Sequence, residues 1–141
     1  MSAANAAEPG SNLTVDPTAT LEAAVEILSQ RRIGALVVLG AEQRVIGILS
    51  ERDVVMALAV TCAAALKQPL SQVMTRKVST CTSDETISAI MEQMTTGKFR
   101  HVPVVEQDRL TGIVSIGDVV KHRLKEMQRE SEALRDYIQT A

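Results

Sequence analysis

Apolar residues in the first half of the chain change their spacing in a regular order. They recur three to four positions apart around residues 21–28, which predicts an amphipathic helix. A short, β-branched run follows at 35–39, and after a polar turn a second run follows at 45–49. Runs of this kind are typical of strands that are buried on both faces. A further helix is predicted to begin at Ser50, so the first half is predicted to be an α-β-β-α unit.

The same order of elements occurs again about 66 residues further along, with a helix around 87–94 and strands at 102–105 and 110–114. The densest match is the pattern Gly-h-h-Ser-x-x-Asp-Val-Val, where h is an apolar residue. This pattern begins at Gly47 and again at Gly112. Self-similarity at a fixed period indicates a duplicated unit, so we expect an α/β protein made of two related repeats.

The repeats divide the chain into four predicted segments. We expect a flexible N-terminal tail over 1–12, the first repeat over 13–66, the linker and second repeat over 67–124, and a C-terminal helix extension over 125–141. The linker is too short and too apolar for two independently mobile domains. The repeats are therefore expected to form one body with pseudo-twofold symmetry, in which each small sheet packs with two helices and two related pockets face the cleft.

Composition removes several classes of function. A net charge of −2 and only two aromatic residues, Phe99 and Tyr137, provide neither a basic field nor a stacking surface for nucleic acid. No apolar run approaches the length of about 18 residues that would span a membrane, and residues 1–12 lack the apolar core of a signal peptide. A cytoplasmic protein is therefore expected. Cys62 and Cys81 have no metal-ligand spacing and are expected to be small buried side chains.

The Ser-x-x-Asp pairs that begin at Ser50 and Ser115 allow two interpretations. Serine is a preferred N-cap, and an acid in the first turn favours the positive end of a helix, so each pair predicts a capped helix start. A carboxylate also accepts both hydroxyls of a ribose diol, while serine and the free backbone N–H groups suit phosphate or ribose oxygens. Recurrence at two strand ends that should face the cleft favours a ligand site. Gly47 and Gly112 are expected to keep the backbone slim beside the ligand.

At these residues the sequence resembles the CBS-domain family, named from cystathionine β-synthase, in the tandem arrangement called a Bateman module. The resemblance covers roughly residues 13–124 and rests on an ordered pattern that occurs twice. The family implies two pseudo-symmetric CBS repeats that bind adenine nucleotides or related adenosyl ligands in the cleft. In each copy a strand run precedes the Gly-h-h-Ser-x-x-Asp pattern, and the runs are Arg32-Ile33-Gly34-Ala35-Leu36-Val37-Val38 and Phe99-Arg100-His101-Val102-Pro103-Val104-Val105.

The resemblance also implies ligand-binding residues for each pocket. In both pockets the aspartate would hold ribose hydroxyls, the serine would contact ribose or phosphate, and the start of the central strand would border adenine and phosphate. The residues implied for the second pocket are Val78, Thr80, Arg100, His101, Val102, Pro103, Ser115 and Asp118, and those for the first pocket are Thr14, Gly34, Ala35, Leu36, Ser50, Arg52 and Asp53.

The second of these pockets is ranked as the better site. Arg100 and His101 provide more phosphate-binding charge than Gly34 and Ala35 at the equivalent positions of the first copy. An apolar entry segment, Val73-Met74-Thr75, leads into the second copy, whereas Glu-Pro-Gly-Ser precedes the first. One wall of the first pocket is therefore expected to be incomplete.

Three hypotheses for the function follow. The first is a stand-alone regulatory module that binds an AMP-like nucleotide, with ATP or ADP as alternatives, and changes its shape or its affinity for a regulated protein. The second is a sensor of NAD(H) or S-adenosylmethionine, and the third is a structural dimerisation module with vestigial pockets. The chain has no nucleophile beside a base in a known motif and no phosphate-binding glycine loop. No enzymatic activity, catalytic cofactor or metal is therefore expected.

The last predicted helix has an apolar stripe that continues beyond the second repeat. A stripe that its own chain leaves uncovered needs a partner. We therefore expect a homodimer to which this helix contributes, and the alternative is that the helix folds back on the repeats. The spacing of four, three, four, three and four positions is a heptad seam, formed by Val120, Leu124, Met127, Ser131, Leu134 and Ile138.

Overall fold

The computed structural model describes residues 2–3, 7–9 and 13–140. It contains two three-stranded sheets with their helices, and a long helix follows the second sheet. This is the duplicated α/β architecture that the sequence predicts. The elements are β1 (Glu8–Pro9), β2 (Thr14–Val15), α1 (Leu21–Arg31), β3 (Ala35–Leu39), β4 (Val45–Ser50), α2 (Glu51–Thr61), α3 (Leu70–Val73), α4 (Ile87–Gly97), β5 (His101–Glu106), β6 (Arg109–Ser115) and α5 (Ile116–Thr140), with 3₁₀ turns at Ala41–Gln43 and Cys62–Lys67.

Helix α1 forms where the helical spacing of apolar residues predicts it. Leu21, Ala24 and Leu28 are buried against the core, because residues three to four positions apart lie on one face of a helix. The hydroxyl of Thr20 accepts a hydrogen bond from the backbone N–H of Ala23 at 3.2 Å and so caps the N-terminus. Helix α4 has the same design in the second repeat, with its own threonine cap and buried apolar face.

The central strand of each sheet is buried, as its β-branched run predicts. Every side chain from 35 to 38 in β3 is at most 3% exposed. Strand β3 pairs antiparallel with β4 on one side and parallel with β2 on the other. In the second repeat β5 pairs antiparallel with β6, and a single parallel bridge from Cys81 to Val104 takes the place of the β2 pairing.

An apolar cluster joins the two repeats. Leu13 and Val37 of the first repeat pack with Ile113 of the second, and all three side chains are buried. Burial of apolar surface between the repeats stabilises their contact. This cluster accounts for the single body that the short linker predicts.

Each sheet is completed by a short segment that leads into the other repeat. Thr75, which precedes the second repeat, pairs with Ile48 of β4 through two backbone hydrogen bonds of 2.9 Å. Strand β1, which precedes the first repeat, pairs antiparallel with β6 of the second, in a register that places Glu8 opposite Ile113. Ile48 and Ile113 hold the same position in the duplicated motif, so the two exchanged edges follow the pseudo-twofold symmetry.

The described part of the N-terminal segment does not form the flexible tail predicted over 1–12. Ala3 is fully buried in the core of the second repeat, and its backbone N–H donates to the carbonyl of Glu85 at 2.7 Å. Strand β1 pairs with β6. The described part packs through two small alanines, Ala3 and Ala7, and through backbone hydrogen bonds, and neither produces a run of large apolar residues in the sequence. Beyond 2–3 and 7–9, the rest of the predicted tail lies outside the described residues.

The two cysteines differ in their surroundings. Cys81 is buried, as expected, and burial together with the nearby carboxylate of Glu85 raises the pKa of its thiol to about 11. The prediction that Cys62 is buried is wrong, because it follows directly on α2, a surface helix, and its side chain is exposed.

Helices α2 and α5 leave apolar side chains exposed. No residue of α2 is buried, and its Val55 and Val60 are 65% and 85% exposed. The described part of the chain does not cover the heptad seam of α5, whose large apolar members are all exposed, namely Val120, Leu124, Met127, Leu134 and Ile138. None of the helices in the described ranges is both long enough and apolar enough to cross a membrane.

Candidate functional site

Asp53 lies at the start of α2 and caps its own helix. Its Oδ2 accepts hydrogen bonds from the backbone N–H of Ser50 at 2.9 Å and from the Ser50 hydroxyl at 3.1 Å. The backbone N–H of Asp53 donates to the Ser50 hydroxyl at 3.4 Å, which completes a capping box. Asp118 and Ser115 repeat these three hydrogen bonds at 3.1, 2.8 and 3.2 Å. The capping interpretation of both motifs is therefore confirmed.

The two capping boxes differ in one contact. The hydroxyl of Thr75 donates a hydrogen bond of 2.9 Å to Oδ1 of Asp53. This bond joins the start of α2 in the first repeat to the segment that leads into the second. Oδ1 of Asp118 has no hydrogen-bond partner among the described residues.

A cavity of about 710 Å³ opens between the repeats at the start of α2. Small-molecule sites have volumes of about 300–1,000 Å³, so the cavity has the size of such a site. Both repeats contribute to its wall, through the end of β4, the segment after Thr75, the turn between α4 and β5, and the start of α5. The lining side chains that matter for its chemistry are Ile48, Ser50, Arg52, Asp53, Lys77, Val78, Lys98, Phe99, Arg100 and His101.

The cavity wall is electropositive, although the whole chain has a net charge of −2. Four cationic and two anionic side chains line it, which gives the wall a formal charge of +2 when His101 is neutral. Cationic side chains near a low-dielectric wall raise the local concentration of anions. The cations are Arg52, Lys77, Lys98 and Arg100, and the anions are Glu51 and Asp53.

His101 lies where the two repeats meet. A Cβ at Gly34 would come 3.3 Å from Cε1 of His101 and 3.5 Å from Oε1 of Glu51, so the glycine leaves room for both side chains. Burial lowers the pKa of His101, and Arg100 acts in the same direction, while the carboxylates of Glu51 and Asp118 oppose the shift. Because its pKa lies below the ordinary 6.5, the imidazole is mainly neutral at pH 7.

The lowered pKa of His101 makes the stability of the fold depend on pH. The imidazole of His101 binds a proton less readily in the folded chain than in the unfolded chain. Its contribution to the free energy of unfolding is therefore fully present above the usual pKa of 6.5 and is lost as the pH falls through the folded-state pKa. We expect the thermal midpoint to fall between pH 7.5 and pH 5.5, and to fall less in His101→Gln. The matched control is His122→Gln, which removes the other imidazole of the chain. An equal fall in His101→Gln and the unaltered protein would contradict the assignment.

Two parts of the chain, residues 9–60 and 70–125, match the sequence profile of the CBS domain. The chain belongs to the CBS-domain family. The CBS-domain containing protein ATU1752 of Agrobacterium tumefaciens is 49% identical, with a TM-score of 0.75 over 79% of this chain and 83% of that one. Mitochondrial CBSX3 of Arabidopsis thaliana is 35% identical over 124 residues, which are 85% of this chain and 60% of CBSX3.

A more distant protein shares the fold. CBSX2, solved in complex with AMP, is 22% identical, with a TM-score of 0.79 over 89% of this chain and 98% of that one. The chain spans about three fifths of the length of CBSX3, so CBSX3 contains further sequence that this chain does not match.

The structure groups the predicted site residues of the CBS repeats differently from the sequence analysis. Val78, Arg100 and His101, which the resemblance assigns to the pocket of Asp118, line the cavity around Asp53. The structure contradicts the grouping made from the sequence, because the leading segments are exchanged. The segment before the second repeat pairs with β4 of the first. Both reasons for ranking the Asp118 pocket first therefore apply to the Asp53 pocket. The residues that line the cavity do not include Asp118.

The remaining predicted residues fall into two groups. Ser50, Arg52, Gly34 and Ser115 line the cavity. Four others have side chains buried inside the sheets, namely Ala35, Leu36, Val102 and Pro103. Thr14 pairs with Val37 in β2, and Thr80 is exposed, with its carbonyl accepting a hydrogen bond from Gln93 at 3.1 Å. These six are not among the residues that line the cavity.

Gly47 has a different role from the one expected. A Cβ at this position would collide with Sδ of Met74, so the glycine admits the methionine that precedes Thr75. Met74 is buried, and its close approach allows the leading segment to pair with β4. The glycine therefore makes room for this segment, whereas the sequence predicts that it makes room for a ligand.

Several residues of the cavity wall were not identified from the sequence, among them Ile48, Glu51, Lys98 and Phe99. Lys98 and Phe99 directly precede Arg100, so extending the predicted strand start towards α4 would have found them. Lys98 is the left-handed C-cap of α4, with φ of 58°, and this turn directs the chain back to the cavity. The resemblance implies that the stretch 74–80, which includes Thr75, contacts the purine. The contact of Thr75 with Asp53 had no signal in the sequence, because it depends on the exchanged pairing.

Proposed function

We propose that the chain binds a phosphate-bearing adenine nucleotide, such as AMP, in the cavity around Asp53. The observation that supports this most directly is the combination of a fixed carboxylate, a cationic rim and an apolar wall in one cavity of about 710 Å³. A nucleoside phosphate has a diol, an anionic group and a flat base, and each has a counterpart among these residues.

The ribose is assigned to Asp53. Its carboxylate is held by the capping box and accepts hydrogen bonds only, so it suits the two hydroxyls of a ribose. The base is assigned to the apolar wall of Ile48, Val78 and Phe99. Phe99 provides the only phenyl ring among the side chains that line the cavity, and its ring lies against the backbone of Gly97.

The phosphate is assigned to the cationic side chains. Arg52, Lys77, Lys98 and Arg100 outnumber the carboxylates of the wall, which favours AMP, ADP or ATP over ligands without a phosphate. S-adenosylmethionine has a net positive charge and no phosphate, so it is less suited to an electropositive wall than a nucleoside phosphate. NAD(H) has two phosphates and stays an alternative ligand. The AMP complex of CBSX2 shows that a protein of this fold binds such a nucleotide.

The proposed role is regulatory and not catalytic. Because the cavity wall comes from both CBS repeats, a ligand there contacts both and favours the arrangement of the repeats that binds it better. The resulting change in shape would alter the affinity for a regulated protein. The alternative of a dimerisation module with vestigial pockets is supported by the exposed apolar side chains of α2 and α5.

We also propose that the protein is a homodimer, with a second copy covering the seam of α5. Heptad spacing is self-complementary, since identical helices present the same apolar positions to each other. Leu124 and Leu134 are each 60% exposed, which leaves apolar area for a partner to bury. The equivalent helix α2 exposes Val55 and Met56, so both repeats contribute such a face.

Calorimetric titration with AMP, ADP, ATP, NAD, NADH, S-adenosylmethionine and adenosine tests the proposed function. We expect AMP to bind at least tenfold more tightly than adenosine, because adenosine has no phosphate for the cationic side chains. Preference for NADH over AMP would favour a dinucleotide sensor. An absence of heat with every ligand would contradict the proposal and favour the dimerisation module.

A further inference from the structure

The two aspartates of the duplicated motif hold different numbers of hydrogen bonds. Oδ2 of Asp53 accepts two from Ser50, and Oδ1 accepts a third from the Thr75 hydroxyl at 2.9 Å. Within the described residues, Asp118 accepts only the two from Ser115, both at Oδ2. The difference follows from the exchanged segments, because Thr75 reaches Asp53 through the pairing of its backbone with Ile48.

The number of acceptor sites limits what each aspartate can bind. An ionised carboxylate offers about four lone-pair sites. Three of these are used at Asp53, so one is left, whereas two are left at Asp118. A vicinal diol that donates both of its hydroxyls needs two. The diol fits Asp118 without any change, but at Asp53 one existing hydrogen bond has to break.

The hydrogen bond from Thr75 is the one that breaks at least cost. The bonds from Ser50 belong to the capping box of α2, and losing them would leave the helix start unsatisfied. The Thr75 hydroxyl is on an exposed side chain and can turn towards solvent. The backbone of Thr75 stays paired with Ile48 through two hydrogen bonds of 2.9 Å, so only the side chain has to move.

We propose that Thr75 is a specificity-determining residue, whose hydroxyl competes with the vicinal diol of the ligand for Asp53. This proposal rests on the proposed function, since it concerns the ribose of the nucleotide in the Asp53 cavity. Binding of a diol there requires release of the Thr75 hydroxyl and so weakens the contact between α2 and the segment that leads into the second repeat. Binding at Asp118 has no such requirement.

The test compares Thr75→Val with Thr75→Ser, both in an Asp118→Asn background so that the Asp53 cavity is measured alone. Valine has the shape of threonine without the hydroxyl, and serine retains the hydroxyl. We expect Thr75→Val to bind AMP between about twofold and tenfold more tightly than the parent, the range that one ordinary hydrogen bond allows. Binding of 2′,3′-dideoxy-AMP, which has no diol, should differ by less than twofold. Thr75→Ser should bind AMP and 2′,3′-dideoxy-AMP with the same ratio of affinities as the parent.

Thermal unfolding of each variant shows that it is folded, and Thr75→Ala replaces Thr75→Val if valine does not fit. Equal effects on AMP and on the dideoxy nucleotide, or weaker binding of AMP by Thr75→Val, would overturn the competition between Thr75 and the diol while leaving the proposed function intact. No binding of AMP by the parent, with or without the Asp118→Asn change, would overturn the proposed function and this proposal together.

Discussion

Asp53→Ala should weaken the binding of AMP by more than tenfold. A hydrogen bond to an ionised group contributes about 1.5–3 kcal/mol, and about 1.4 kcal/mol corresponds to tenfold in affinity, so the loss of either ribose contact is sufficient. The substitution also removes the capping box of α2, which should lower the free energy of unfolding by about 0.5–2 kcal/mol. Titration calorimetry measures the first effect, and denaturant unfolding measures the second.

The matched control for Asp53→Ala is Asp118→Ala. It removes the equivalent capping box, with the same three hydrogen bonds. The side chain of Asp118, however, is not among those that line the cavity. The two variants should therefore lose similar stability, while only Asp53→Ala loses the tighter AMP site. The reverse result, in which Asp118→Ala alone loses that site, would support the ranking made from the sequence and contradict the site proposed around Asp53.

The parts of the fold that depend on local pattern could be predicted from the sequence. The strand at Ala35–Leu39 and the helix starts after Ser50 and Ser115 follow from runs, spacing and caps, which are properties of neighbouring residues. The duplication supports these predictions, because the same pattern predicts each element twice. The packing of Ala3 could not be predicted, because it is one of four small alanines in a segment that has no large apolar residue after Met1.

The site was predictable in its residue types but not in its grouping. Ser50, Asp53 and Arg100 were identified from the motif and the strand start, and all three line the cavity. Which repeat completes which pocket depends on the pairing of Thr75 with Ile48, a contact between distant residues that no local pattern encodes. As a result, Arg100, which its position in the chain assigns to the second pocket, lines the first pocket in the structure.

Leu124→Glu should convert a homodimer into a monomer at micromolar concentration and raise the dissociation constant of the dimer more than about hundredfold. Leu124 lies in the heptad seam of α5 and is 60% exposed in the isolated chain. An unpaired charge buried in an apolar interface costs several kcal/mol. A hundredfold increase in the dissociation constant requires only about 2.7 kcal/mol. Ser131→Leu, which replaces the one polar member of the seam, should tighten the dimer. Sedimentation velocity measures both effects.

The matched control for Leu124→Glu is Gln139→Glu, which adds the same charge to α5 at an exposed position on the side of the helix away from the seam. It should leave the protein dimeric, because no charge is then buried between the copies. If Gln139→Glu dissociates the dimer equally, repulsion between acidic copies explains the effect and the seam does not. A monomer at micromolar concentration in the unaltered protein, with or without nucleotide, would remove the homodimer altogether. The exposed side chains of α2 and α5 would then be free to contact a regulated protein directly.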